Sequence, residues 1–255
     1  MRSTAIALAA FAACAAPAPD SESESLPPLP YDETQLIPGD TLLEKLGQVS
    51  QLDNLEETTG DYARCSAAAT LSAYLLLGGE FARVASQHDV EGELTFGNVH
   101  RVQESLYHLA NTDDHPGVFG GSVPRYDEQG RLTGWDRAEG DEYHVILEAL
   151  ELKPSRCYGP TKDAPNDKRA AVREMLADPR PVVFIVGVDE DMESESFAPM
   201  VETGNHYVAM FEHEGVFYAL DSFRYTAKSA LVRLSPAEVE ANLFDTPNAI
   251  FAVRR

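Results

Sequence analysis

Three residues of this chain have the types and the order of a thiol-based catalytic site. Cys65 opens an uncharged run that extends to Leu77, and His206 and Asp221 follow much later, 15 residues apart. In such a set a thiolate attacks the carbonyl carbon, an imidazole takes up and returns the proton, and a carboxylate orients the imidazole. The chemistry that these residue types predict is nucleophilic attack on an amide.

The position of Cys65 favours a nucleophile over a core residue. The run Cys65–Leu77 contains no charged residue and ends at Gly78-Gly79, a typical helix C-terminus. It predicts a helix that is buried on nearly all sides, with Cys65 in its first turn. The partial positive charge of a helix N-terminus stabilises a thiolate. The alternative is a small buried side chain in an alanine-rich helix.

His206 and Asp221 are predicted to lie on neighbouring strands of one hairpin. His206 begins the first strand, Asp221 ends the second, and Glu214-Gly215 supplies a two-residue turn. In that register Val208 faces Asp221, so His206 and Asp221 are diagonal neighbours on one face, roughly 7 Å apart. A three-residue turn would put them on opposite faces. The catalytic hypothesis therefore depends on this hairpin.

The segments around these residues resemble the papain-like cysteine hydrolases, and most closely the bacterial peptidases that process double-glycine leaders. The resemblance lies in Arg64–Ala68, Asn205–Met210 and Tyr218–Ser222. It implies a papain-like α+β domain, in which N-terminal helices include a buried nucleophile helix and a C-terminal antiparallel sheet follows.

The same resemblance implies the role of each residue. Cys65 would be the nucleophile, His206 the general base and then the acid, and Asp221 the group that orients the imidazole. Such peptidases carry a Gln before the Cys that helps to form the oxyanion hole, and Thr59 occupies that position here. They favour Gly directly after the Cys, where this chain has Ser66. Loss of one oxyanion donor typically lowers the rate about 100- to 1000-fold.

Two other functions remain open at this stage. Cys65–Ala69 leading into Tyr74–Gly79 and Phe81–Val84 also resembles the nucleophile helix and following strand of transglutaminase-like proteins. That resemblance implies acyl transfer to an amine, or deamidation. The third possibility is a non-catalytic binding protein of the same fold, which a disulfide between Cys65 and Cys157 would favour.

The order of the remaining elements predicts an α+β fold, with helices first and antiparallel strands later. A small hairpin at Asp127–Gly130 is expected in the irregular region 111–140. The predicted helices are Thr41–Glu57, Cys65–Leu77, Asn98–Ala110, Asp141–Leu152 and Asn166–Ala177. The predicted strands are Val182–Val186, His206–Phe211, Val216–Asp221, Leu231–Leu234 and Ala249–Val253, with a short helix after Ser235-Pro236.

The N-terminal region resembles a bacterial lipoprotein signal. Arg2 precedes a small apolar run that ends Phe11-Ala12-Ala13-Cys14, too short to span a membrane. The resemblance implies cleavage before Cys14, acylation of Cys14 and export to a periplasmic or cell-surface location. Residues 1–14 are thus a predicted signal, residues 15–39 a disordered tether rich in Pro, Ser and Glu, and residues 40–255 the papain-like domain.

The charge and composition of the chain limit the classes of molecule that it is expected to bind. The 42 acidic residues against 20 basic ones give a formal charge of −22, which argues against nucleic-acid binding. A peptide or protein substrate and a lipid anchor in a membrane are the expected partners. No pair of His residues has metal-ligand spacing, so we expect neither a metal nor a cofactor.

Overall fold

The structure is a computed structural model, and it describes most of the chain from residue 34 onward. The described residues are 34–37, 41–46, 65–110, 124–126, 132–135, 142–157, 168–191, 196–199, 206–222, 230–246 and 250–255. The predicted signal, with Cys14, and most of the predicted tether lie outside them, as does Thr59.

Helices dominate the first half of the described chain. The α-helices are α1 (Leu42–Leu46), α2 (Cys65–Leu76), α3 (Phe81–Gln87), α4 (Phe96–Ala110), α5 (Glu142–Ala149), α6 (Lys168–Ala177) and α7 (Pro236–Val239), and a π-helix (Glu240–Phe244) continues α7.

The strands form one large antiparallel sheet and one separate hairpin. They are β1 (Pro124–Tyr126), β2 (Leu132–Trp135), β3 (Lys153–Cys157), β4 (Val183–Asp191), β5 (Ser196–Pro199), β6 (His206–His213), β7 (Val216–Leu220), β8 (Leu231–Arg233) and β9 (Ile250–Arg254). The large sheet has the order β3-β9-β4-β6-β7-β8, with β5 paired to β4, and β1 pairs with β2. The predicted mixed helix and antiparallel-sheet architecture is confirmed.

Helices cover both faces of the large sheet. Successive side chains of its central strands enter two different apolar cores, one on each face. On β4, Val183 and Ile185 belong to a first core with α2, α4 and α5, whereas Phe184 and Val186 belong to a second core with α6, α7 and the π-helix. Successive side chains of a strand point to opposite faces. The uninterrupted apolar run that predicted β4 is thus explained by burial on both sides.

Helix α2 confirms the prediction for the uncharged run. Every residue from Cys65 to Leu75 is buried. At its end the Gly78 N–H donates to the Leu75 carbonyl at 3.0 Å and the Gly79 N–H to the Tyr74 carbonyl at 2.9 Å. Because Gly78 has φ of +79°, this is a Schellman motif that uses the conformational freedom of glycine.

Two helices differ from the sequence expectation. Phe81–Val84, expected as a strand in the transglutaminase-like interpretation, lies in α3. Helix α4 begins at Phe96, two residues before the predicted start at Asn98, and the Asn98 N–H donates to Thr95 Oγ1 at 3.2 Å, so Thr95 caps the helix. The Asn98 amide instead donates to the Glu93 carbonyl at 2.9 Å, which ties the preceding loop to the helix.

Residues 35–37 correct the predicted tether of residues 15–39. The Ile37 N–H donates to the Leu94 carbonyl at 3.3 Å, the Phe96 N–H donates to the Gln35 carbonyl at 3.4 Å, and Ile37 is buried in the first core. Ile37 is buried although the composition around it is that of a solvated linker, whereas its neighbour Leu36 is exposed. The folded domain therefore starts before residue 40.

Two predicted hairpins are confirmed. Strands β1 and β2 pair on either side of the expected turn at 127–130, although the turn itself lies outside the described residues. In the β6–β7 hairpin, Glu214 and Gly215 both have positive φ, 52° and 78°, as a two-residue hairpin turn of type I′ requires. His213 pairs with Val216, which is the register predicted from the sequence.

We predict different stability costs for the two glycines that follow α2. Gly78→Ala has open space around the new Cβ, so only the left-handed backbone opposes it, at about 1 kcal/mol. Gly79→Ala would place its Cβ inside the ring of Tyr74, which is fully buried, and overpacking costs about 1–3 kcal/mol. Urea unfolding measures both, and a larger loss in Gly78→Ala would contradict the packing seen here.

We also predict an acid-sensitive link between α3 and α4. The Ser105 hydroxyl is 2.8 Å from His88 Nδ1, and burial lowers the His88 pKa below its ordinary value of 6.5 although Asp89 opposes the shift. The neutral ring is therefore favoured in the folded state, so its stabilisation is complete above about pH 6.5 and is lost as the pH falls. Between pH 7 and 5, the wild-type free energy of unfolding should fall more than that of His88→Asn, and parallel profiles would refute this.

Candidate active site

The structure brings His206 and Asp221 together as a buried hydrogen-bonded pair. His206 Nε2 lies 2.7 Å from Asp221 Oδ1, and the two side chains are 6% and 0% exposed. An ionised carboxylate only accepts hydrogen bonds, so we assign the ring proton of His206 to Nε2, which donates it to Asp221. Nδ1 is then the ring nitrogen that can accept a proton from a nucleophile.

The register of three strands determines this pair. His206 begins β6 and pairs with Val188 of β4, while Ala209 pairs with Leu220 of β7, so that Asp221 directly follows the paired segment. The Asp221 N–H donates to the Ala230 carbonyl at 2.9 Å, which extends the pairing of β7 with β8. Both backbones are therefore held by the sheet, and the side chains meet diagonally as the sequence predicts.

Cys65 is the first residue of α2 and is 1% exposed. It is present as a thiol and not in a disulfide, so the bridge to Cys157 that the sequence left open is not formed. Its neighbour Ser66 has a fully buried hydroxyl with no hydrogen-bond partner among the described residues. The Ser66 carbonyl accepts a 2.7 Å bond from Thr70 Oγ1, which continues the helix ladder.

Helix α2 packs along β6. Leu76 and Leu77 at the end of α2 line one groove together with Phe211 near the end of β6. Eleven helical steps from Cys65 to Leu76 rise about 17 Å, and five strand steps from His206 to Phe211 rise about the same distance. We therefore expect Cys65 at the same end of the sheet as His206.

The two residues approach this end from different faces. His206 shares the face of its partner Val188, which belongs to the second core, whereas α2 contributes Ala67 and Ala69 to the first core. The sulfur and the ring can meet only around the end of the sheet, where α2 and β6 both begin. The contact between them stays a prediction.

The end of strand β5 lies at the level of His206, and β5 was not predicted from the sequence. Pro199 of β5 pairs with Val188, the residue whose other neighbour is His206. Two side chains hold β5 in place: the Phe197 N–H donates to Glu238 Oε1 at 3.2 Å, and Asn242 Nδ2 donates to the Phe197 carbonyl at 3.0 Å. The capping box Ser235–Glu238 is visible in the sequence, but its additional contact to β5 is not.

Other sequence predictions lie apart from this pair or outside the described residues. Thr59, the oxyanion candidate, and Cys14, the lipidation candidate, are both outside them. Cys157 ends β3, and its backbone pairs with Ile250 of β9. The acidic stretch 189–191, which lies beyond the predicted strand Val182–Val186, is the end of β4 and pairs with β5.

Comparison with protein-family models, curated proteins and solved structures finds no match for this chain. In the part of the chain that the structure describes, no helix combines the length and apolar character needed to cross a bilayer. The same residues include no group of three or more His, Cys, Asp or Glu side chains that could hold a metal ion.

We predict strong energetic coupling between His206 and Asp221. Asp221→Ala should destabilise the fold because it leaves the ring N–H buried without an acceptor, whereas Asp221→Asn retains an acceptor oxygen and should cost less. A double-mutant cycle with His206→Ala, measured by urea unfolding, should give a coupling of about 1–3 kcal/mol. Additive losses would mean that the hydrogen bond contributes nothing to stability.

Proposed function

We propose that this protein is a thiol hydrolase, a protease or amidase with a papain-like domain, in which Cys65, His206 and Asp221 form the catalytic triad. The observation that carries the proposal is the 2.7 Å bond between His206 Nε2 and the buried Asp221 carboxylate. It supplies an imidazole of fixed orientation and tautomer, which is the part of a triad that depends most on precise folding. Cys65 at a helix N-terminus supplies the nucleophile.

In the proposed mechanism each ring nitrogen of His206 has one partner. With Nε2–H held by Asp221, Nδ1 takes the proton from Cys65, and the carboxylate stabilises the imidazolium that forms. The thiolate attacks the amide carbon, and the tetrahedral intermediate collapses to a thioester as Nδ1–H gives its proton to the leaving amine. Water then hydrolyses the thioester, with Nδ1 as the base, and regenerates the thiol.

Two alternatives are separable by experiment. The transglutaminase-like alternative differs in the acyl acceptor, an amine in place of water, and the helical conformation of Phe81–Gln87 removes one of the resemblances that supported it. The binding-protein alternative is favoured by the burial of Cys65, which is only 1% exposed. A buried sulfur reacts only if substrate can reach it.

The reactivity of Cys65 tests the proposal without knowledge of the substrate. A base within contact distance, about 4–5 Å from the sulfur in an apo enzyme, should make Cys65 react with iodoacetamide well below the ordinary thiol pKa of about 8.5. His206→Ala should move the midpoint of alkylation to the ordinary range. The pH profile at each cysteine, read by peptide mass spectrometry, gives the result.

His213→Ala is the matched control, because His213 lies on the same strand as His206 but at its other, exposed end. It should leave the profile of Cys65 unchanged. If wild-type Cys65 titrates as an ordinary thiol, or if both His variants behave alike, the protein is better described as a binding protein. If Cys65 is activated, product analysis with and without an added primary amine distinguishes hydrolysis from acyl transfer.

We further propose that the protein is exported and anchored to a membrane through an acylated Cys14. The support is the short apolar run that ends Phe11-Ala12-Ala13-Cys14. Mass spectrometry of the mature N-terminus should find a lipid-modified Cys14, and Cys14→Ser should release the chain from the membrane fraction. An unmodified N-terminus downstream of Cys14 would leave secretion without an anchor.

A further inference from the structure

One buried hydroxyl at the start of α2 has no acceptor in the part of the chain that the structure describes. It belongs to Ser66, the second residue of α2, which is 0% exposed and whose Oγ has no hydrogen-bond partner there. Further along the helix the Thr70 hydroxyl is satisfied, because it donates to the Ser66 carbonyl at 2.7 Å. Buried polar groups without a partner are few in native proteins, and each one points to a partner that the folded chain does not itself supply.

The Ser66 hydroxyl lies beside the N-terminus of α2. In an α-helix every Cα–Cβ bond is tilted toward the N-terminus, so the side chain of the second residue covers the turn that opens the helix. The first four N–H groups of a helix have no acceptor within that helix, and they carry a partial positive charge. Because the first turn of α2 contains no acidic side chain, the helix itself does not offset this charge. The combination of a hydroxyl donor and a helix N-terminus suits an anionic oxygen.

The sulfur of Cys65 and the hydroxyl of Ser66 are enclosed to the same extent. The two residues are 1% and 0% exposed. A carbonyl group that reaches the sulfur therefore enters the same enclosed space as the hydroxyl. Hydrogen bonds to a developing negative charge are strongest where water is excluded.

We propose that the Ser66 hydroxyl is an oxyanion donor in the reaction of Cys65, an inference that rests on the proposed function. As the thiolate adds to the carbonyl carbon, the C–S bond forms and the π-electron pair of the carbonyl moves to oxygen, which accepts the Ser66 O–H. As that pair returns, the C–N bond breaks and the amine leaves with the proton from His206 Nδ1. Ser66 thus takes the role of the Gln that the resembled peptidases carry where this chain has Thr59.

Two reagents that modify a thiolate by different mechanisms test this proposal on the full chain. p-Nitrophenyl acetate acylates the sulfur through a tetrahedral oxyanion, whereas iodoacetamide alkylates it by direct displacement, without an oxyanion. Ser66→Ala should slow acylation roughly 10- to 100-fold, less than the usual loss for an amide because the ester is activated. It should leave the alkylation rate of Cys65 and its pH profile unchanged. Release of p-nitrophenolate measures acylation, and Cys65→Ala corrects for the other nucleophiles of the chain.

Ser72→Ala is the matched control, because Ser72 is a second buried serine of α2, 6% exposed, nearer the other end of the helix. It should leave both rates unchanged. Since the Ser66 hydroxyl has no partner among the described residues, Ser66→Ala should leave the midpoint of urea unfolding unchanged or raise it.

The outcomes separate this proposal from the proposed function. If Cys65 is activated toward iodoacetamide but Ser66→Ala is acylated at the wild-type rate, Ser66 is not an oxyanion donor and the catalytic proposal stands. A lower urea midpoint with unchanged acylation would assign the hydroxyl a structural hydrogen bond instead. If wild-type Cys65 titrates as an ordinary thiol and Cys65→Ala releases p-nitrophenolate as fast as the wild type, both proposals fail.

Discussion

The burial of α2 is the constraint on which the rest of the structure depends. A helix of twelve residues without a charge is buried only if other elements surround it, and here α4, α5 and the central strands β4 and β6 do so. Its small residues Ala67, Ala69 and Ala73 allow close approach to those neighbours. Because α2 packs along β6, we expect the start of the helix at the start of that strand and the end of the helix at its end. One end carries Cys65 and the other lines the groove.

The second determinant is the register of the β6–β7 hairpin, and it depends on two backbone conformations. Glu214 and Gly215 have the positive φ angles of a two-residue turn. One more residue in that turn would move Asp221 to the opposite face from His206. The contact between His206 and Asp221, 15 residues apart in sequence, is thus specified locally, which is why it could be predicted from the sequence while most other contacts could not.

Where the sequence predictions were wrong, tertiary context had decided the outcome. Strand β3, which was not predicted from the sequence, contains Pro154 and charged residues and is an edge strand among the described strands, where a missing N–H and exposed charge are tolerated. Thr and Asn are both favoured N-cap residues, so the local pattern does not show whether Thr95 or Asn98 caps α4. Glu238 and Asn242 both contact Phe197, from which they are separated by 41 and 45 residues of sequence. No periodicity encodes such pairings.

The chemistry of the His206–Asp221 pair is hard to explain by stability alone. The inward positions next to them, such as Val188, Val208 and Ala219, are apolar, and both faces of the sheet are covered. Replacing a buried ionisable pair with packed apolar side chains is often neutral or stabilising, since the desolvation penalty disappears. A buried polar pair beside these apolar positions, level with the expected position of a thiol at a helix N-terminus, therefore departs from the pattern of its neighbours on the sheet. Such departures concentrate at functional sites.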